Sequence, residues 1–264
     1  MALKTKTIAQ AYKDLLVLNN SNGGLSSSGT TILDGNGNSS SVVLGKDRFH
    51  VRPSSAESTA VFQVKAKDGT TLFYVDSTNK EVRSGTSETI INTQTHQFGL
   101  YDFSSTSNAH HMMMASPMFA TASSFSMDGG ENLGTDAAPD TSKTISADAH
   151  EWIPFIFKPE ANIIVQSGSI IISTEGDASS VTSNIMRYDF DEGSSSTAGD
   201  LTNGSLVLTN LAIEPNDDRI AHYDYTLIAG NKELSTSQCL VACIRQPTTT
   251  YDITCTATIK YHFK

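Results

Sequence analysis

The chain has 264 residues, of which only 17% are charged, and Ser and Thr together fill 64 positions, 34 and 30 respectively. With 18 glycines, this composition favours many short strands and turns over long helices. A net charge of −10 without clustered Lys/Arg argues against nucleic acid as a partner, since phosphate contacts need such clusters, and no run approaches the ~18 apolar residues of a membrane span.

The charge is divided unevenly along the chain. Residues 1–85 carry ten Lys/Arg against seven Asp/Glu (+3), and residues 86–264 carry eight against twenty-one (−13). Such asymmetry fits two ends in different surroundings, a mildly basic docking end and an acidic outer end. The first residues lack an apolar signal-peptide core. The three cysteines, Cys239, Cys243 and Cys255, are an odd count at spacings of four and twelve, which is no disulfide framework. They are expected to pack as small hydrophobes in a chain made in a reducing cytosol.

In chain order, Thr7 to Leu18 is the best window for a helix, with Ile8, Tyr12, Leu15 and Leu16 on one face. A helix this short is marginal alone, so residues 1–24 are expected to order by docking or by packing on an assembly axis. From Leu25 to Pro53, short apolar runs alternate with Gly/Asn turns and read as a meandering β segment. The stretch Val61 to Gly85 gives two β runs joined by Asp68-Gly69, the dipeptide suited to a tight hairpin, and Gly69 is expected at positive φ. No exact internal repeat is visible. About twenty-five residues with so little apolar bulk cannot close a core alone, so residues 25–85 need a partner, and Phe62, Val64, Leu72, Phe73 and Val75 are the candidate contact residues.

Beyond residue 86, Thr89–Asn92 and Phe98–Phe103 read as strands, Met112–Met114 as a soft packing surface, and residues 121–149 as a long surface loop or lid. From Glu151 onward about eight strand signals follow, including Trp152–Phe157 and a cleanly alternating run at Asp252–Phe263. Eight antiparallel strands with long turns predict a jelly-roll-like sandwich over 86–264.

The pattern on Phe62, Val64, Gly69, Leu72, Phe73, Val75, Asp76, Ser77 and Val82 resembles the recurrent strand-and-turn unit in shafts and necks of tailed-bacteriophage fibre proteins. The upstream piece Tyr12–Asn20, followed by Ser/Gly/Asn-rich turns, is similar to the start of phage proteins that hold a fibre on a virion. This resemblance covers the first third of the chain. It implies a homotrimer with an intertwined N-terminal β segment, attached to other virion proteins of the tail or capsid, made in the host cytoplasm and found in the virion. The outer domain would then meet a host-surface glycan or protein.

Chemistry is sparse. His110 and His111 are adjacent and point to opposite sides of a strand, so only a ring of copies around a threefold axis would bring imidazoles onto one cation. Asp189-x-Asp191 supplies only the start of a calcium loop. No nucleophile elbow, phosphate-cradling loop or H-E-x-x-H pair is present, and neither a cofactor nor an enzymatic activity is expected. The leading reading is a short virion fibre. The alternatives are a capsid decoration or head-fibre protein, and a carbohydrate-binding module or small hydrolase.

Overall fold

The computed structural model describes residues 16–18, 24–34, 36–84, 89–91, 93–104, 108–115, 132–145, 152–178, 180–190, 199–217, 219–246 and 251–264. The chain forms two compact units, residues 1–91 and 92–264. Both are built from antiparallel sheets.

The first unit holds two four-stranded meanders in simple chain order. One comprises β1 (Val17–Leu18), β2 (Thr30–Leu33), β3 (Ser39–Leu44) and β4 (Phe49–Val51). The other comprises β5 (Phe62–Lys65), β6 (Thr71–Asp76), β7 (Glu81–Ser84) and β8 (Thr89–Ile90). Of the expected N-terminal helix, Ile8 to Leu15 lies outside the described residues, and its last two positions are extended instead, pairing Val17 with Leu33 and Leu18 with Ile32.

These meanders contain a structural repeat. The strands β2, β3 and β4 start at residues 30, 39 and 49, and β5, β6 and β7 start 32 residues later, at 62, 71 and 81. The turns repeat too. Gly37 N–H donates to Asp34 O and Asp34 N–H to Asn38 O; Gly69 N–H donates to Ala66 O and Ala66 N–H to Thr70 O. Gly37 has φ +86° and Gly69 φ +89°, so each loop is a three-residue turn closed by a left-handed glycine. The hairpin is thus one residue longer than Asp68-Gly69 alone, and only Gly69 carries the positive φ. Ser26 and Ser58 are also equivalent: their carbonyls accept Lys46 N–H and Ser77 N–H.

The second unit is a jelly roll. Its strands are β9 (Thr93–Ser104), β10 (His111–Met112), β11 (Ile163–Thr174), β12 (Val181–Phe190), β13 (Leu201–Ile213), β14 (Ala221–Asp224), β15 (Thr226–Leu227), β16 (Glu233–Leu234), β17 (Gln238–Arg245) and β18 (Asp252–Phe263). One sheet runs β14-β11-β18-β9, with β16 also on β11, and the other runs β10-β17-β12-β13-β15. Setting aside the two-residue strands β15 and β16, the eight that remain pair first with last, second with seventh, third with sixth and fourth with fifth. That is a folded-over antiparallel ribbon, the wrapping of a double Greek key. Tyr225 marks the chain's crossing from one sheet to the other. Its N–H donates to Gly168 O, and its hydroxyl lies 2.7 Å from Ser183 Oγ inside the core.

Two cores result. Between the sheets pack Phe98, Ile163, Ile170, Ile185, Leu208 and Ile259 among others. The run Ile253, Cys255, Ala257 and Ile259 faces this core, as its alternation predicts. The far face of the β17-bearing sheet carries Met186, Tyr188, Cys239, Val241 and Cys243, and it is covered by Leu133, Ile145, Trp152 and Phe155. The described part of the expected lid, residues 132–145, is therefore an integral third layer. Trp152–Phe157 is not a strand: Pro154 sits in a 3-10 turn at Ile153–Phe155, and only Phe157 pairs, with Leu240.

Candidate assembly interface

In β5–β7 the register places Phe62 opposite Val75, Val64 opposite Phe73, and Val75 opposite Val82. Directly opposed residues share a face, so Phe62, Val64, Phe73, Val75 and Val82 form one apolar face. The Phe62 and Phe73 rings meet edge to face with centroids 6.1 Å apart. Leu72 alternates onto the reverse face with Tyr74. In a single chain Phe62 keeps 39% of its surface in water, Val64 43% and Leu72 51%. The first meander behaves alike: Val42 opposes Val51 and Leu44 opposes Phe49, and Phe49 is 62% exposed.

What orders this unit is polar. The Asp76 side chain is buried and accepts hydrogen bonds from Asn79 N–H (2.9 Å) and Nδ2 (2.7 Å). Burial pushes the Asp76 carboxyl up, but hydrogen bonds from Asn79 and Thr78 and the nearby Arg83 charge together hold it below its ordinary value. Asp34 plays the same part in the first loop, with hydrogen bonds from Asn38, side chain first, lowering its pKa. Arg83 bonds Glu81 through Nε (2.8 Å) and Nη2 (2.5 Å). Such local bonds fix turn shape without removing apolar surface from water.

Of the proposed anchoring residues, Ile8, Tyr12 and Leu15 lie outside the described residues, and Leu16 is exposed just before β1.

In the second unit, the candidate ligands sit in structural roles. His110 is fully buried; its Nε2 donates to Asp136 O (3.1 Å) and its Nδ1 lies 3.9 Å from Cys243 Sγ. Burial pushes its pKa down. His111 is buried on β10, its ring edge-on to Phe103. Met112 and Met113 are also buried, one in each core. Asp189 accepts bonds from Gln238 Nε2 and Asn203 Nδ2, each at 2.8 Å, and these, Gln238 first, lower its pKa. It therefore ties β12 to β13 and β17. Asp191 lies outside the described residues.

Sequence reading missed two features. Tyr188 OH donates to Asp140 O (2.5 Å) and Asp200 accepts Ile145 N–H (2.6 Å), so two polar side chains of the sheet layer clamp the lid. Asp102, Glu175 and Asp252 bring their carboxylates within 4.8 Å of one another at one corner of the sandwich. They come from β9, the turn after β11 and the start of β18, so no sequence spacing could have joined them. The described residues contain no helix long and apolar enough to cross a membrane.

Fold and surface together define a jelly-roll domain preceded by a β-meander repeat that leaves an apolar face in water. No protein-family model matches the chain, and no curated protein does. Among solved structures it is similar to one of infectious bursal disease virus, Gx strain, at 11% identity and a TM-score of 0.28, over 84% of this chain. The match spans 38% of that virus chain.

Proposed function

We propose that this chain is a non-enzymatic structural protein of a bacteriophage virion. It is a short homotrimeric fibre, anchored through its N-terminal segment and displaying the jelly-roll head for contact with the host surface. The observation that carries this reading is the apolar face of Phe62, Val64, Phe73, Val75 and Val82 in a unit with almost no core. Burying each large side chain contributes roughly 1.5–3 kcal/mol, which favours association over a wet monomer. The phage-fibre resemblance of the same residues supports the virion assignment. The non-enzymatic reading draws on the candidate polar groups of the head: His110 and Asp189 are engaged in hydrogen bonds that tie strands and lid together.

Native mass spectrometry of the full-length protein tests the assembly and should give three times the chain mass. A monomer at micromolar concentration overturns it. Antibodies against the head, applied to intact particles, should label a tail structure; labelling spread over the shell would instead make the chain a decoration protein.

A further inference from the structure

The 32-residue repeat exposes an incomplete pairing. The outer edge of β2 is covered by β1, with Val17 opposite Leu33 and Leu18 opposite Ile32. Strand β1 starts 32 residues before β4, and β2 starts 32 before β5. The β1–β2 contact is therefore the first instance of a junction whose second instance is β4 against β5. Within one chain that second junction is not made. Strand β4 ends one sheet, β5 ends the other, and neither has a further strand on its outer side among the described residues.

The connector explains why. Arg52 N–H donates to Ser41 O, prolonging the β4–β3 ladder, and Val61 N–H donates to Val75 O, prolonging β5–β6. Both ends of residues 52–61 continue their own sheet instead of turning β4 back onto β5. Two open edges with exposed apolar residues, Phe49 on one and Phe62 and Val64 on the other, are a pairing template.

We infer that the open edge of β5 is completed by β4 of a second copy of this chain, antiparallel and in the register of the β1–β2 junction. Carrying that register forward by 32 residues sets His50 opposite Val64 and Phe49 opposite Lys65 across the two copies. The pairing gives the apolar face a continuous sheet and removes two free edges per contact. It rests on the assembly reading above only in requiring that copies meet; it adds which strands meet and in what register.

Disulfide trapping tests it. Opposed residues in an antiparallel pair lie close enough for a disulfide. His50 and Val64 are both exposed in the single chain, so His50→Cys and Val64→Cys leave its core intact. The native Cys239, Cys243 and Cys255 are buried, with thiols pushed up to about 12 by burial, and do not compete. Two differently tagged chains, one H50C and one V64C, are co-expressed, oxidised and resolved without reductant. The expected product is a covalent link between the two tags, with a Phe49→Cys and Lys65→Cys pair behaving alike and a Ser40→Cys and Val64→Cys pair giving none. Native mass is recorded on the same samples. An assembled protein that forms neither link overturns this junction alone. A monomeric mass overturns the junction and the fibre reading together. A link that forms only inside one chain of the H50C/V64C double variant overturns the exchange between copies.

Discussion

The two units solve the same problem, stabilising antiparallel strands, by different means. The head buries apolar side chains on both faces of its β17-bearing sheet, so each layer has a dry neighbour. In the N-terminal unit Val43 is the only buried hydrophobic side chain among the described residues, and order comes from turns, aspartate hydrogen bonds and strand ladders. Strands and hydrogen bonds give a unit its shape. Hydrophobic burial gives it independence, because the conformational entropy lost on folding is offset mainly by area removed from water.

The largest expected effect separates the units outright. A fragment of residues 92–264 should unfold in one cooperative transition as a monomer, while residues 1–91 alone at low micromolar concentration should show neither a cooperative transition nor slow amide exchange. Strong exchange protection in a monomeric 1–91 fragment would remove the contrast. Next in size are core truncations. Phe98→Ala in the head should cost about 3–5 kcal/mol in denaturant unfolding. Phe62→Ala should leave the head's transition unmoved and weaken only association between chains, read by mass at dilution. A head transition shifted by Phe62→Ala would show the units to be energetically coupled.

Acid should also tell the units apart. His96 stacks on Phe157 with centroids 4.0 Å apart, its Nε2 buried without a partner, and His110 is fully buried; burial lowers both pKa values from 6.5. Their neutral forms favour the folded head, so this stability is complete above about pH 6.5 and is lost as pH falls from there toward the depressed folded values. In the N-terminal unit the shifted groups are Asp34, Asp68 and Asp76, all lowered from 3.8, so their contribution is complete above that pH and lost only below it. Thermal unfolding from pH 7.5 to 5 should lower the head's midpoint, and His96→Gln with His110→Gln should flatten that slope. An equal slope in the double variant would assign the acid sensitivity elsewhere.

Much of this architecture was legible in the residues. The alternation of β18, the glycine of the Lys67–Gly69 turn and the exposed Phe62 and Val64 all follow from side-chain period and turn chemistry. The lid was read only as a loop, because its core residues Leu133, Ile145, Trp152 and Phe155 are isolated in polar sequence. One signal did point to it. In β17, Cys239, Val241 and Cys243 alternate with Leu240, Ala242 and Ile244, and a strand apolar on both faces requires a cover on both. The 32-residue repeat was hidden for the opposite reason. Val42 and Leu44 correspond in position to Tyr74 and Asp76, whereas the apolar pair of the second copy is Phe73 and Val75. The backbone scaffold recurs while the apolar face changes sides, so a comparison of side chains finds almost nothing.

The smallest effects test the repeat through its glycines. Gly134 in the head has φ +81°, and a Cβ there would press on the Asp140 carboxylate beneath the Tyr188 clamp. Gly134→Ala therefore adds a steric clash to a conformational cost. Gly37 and Gly69 have φ values of +86° and +89°, and a Cβ at either would meet nothing within 4 Å, so only the conformational cost remains. For an L-residue in the left-handed region that cost is roughly 1–2 kcal/mol. Gly37→Ala and Gly69→Ala should then destabilise the full-length protein by equal amounts within that range, and Gly134→Ala by more, measured by thermal unfolding. Equality is the informative part: the two loops share hydrogen bonds, dihedral angle and empty surroundings, so a cost at Gly69 without a matching cost at Gly37 would break the equivalence of the two copies.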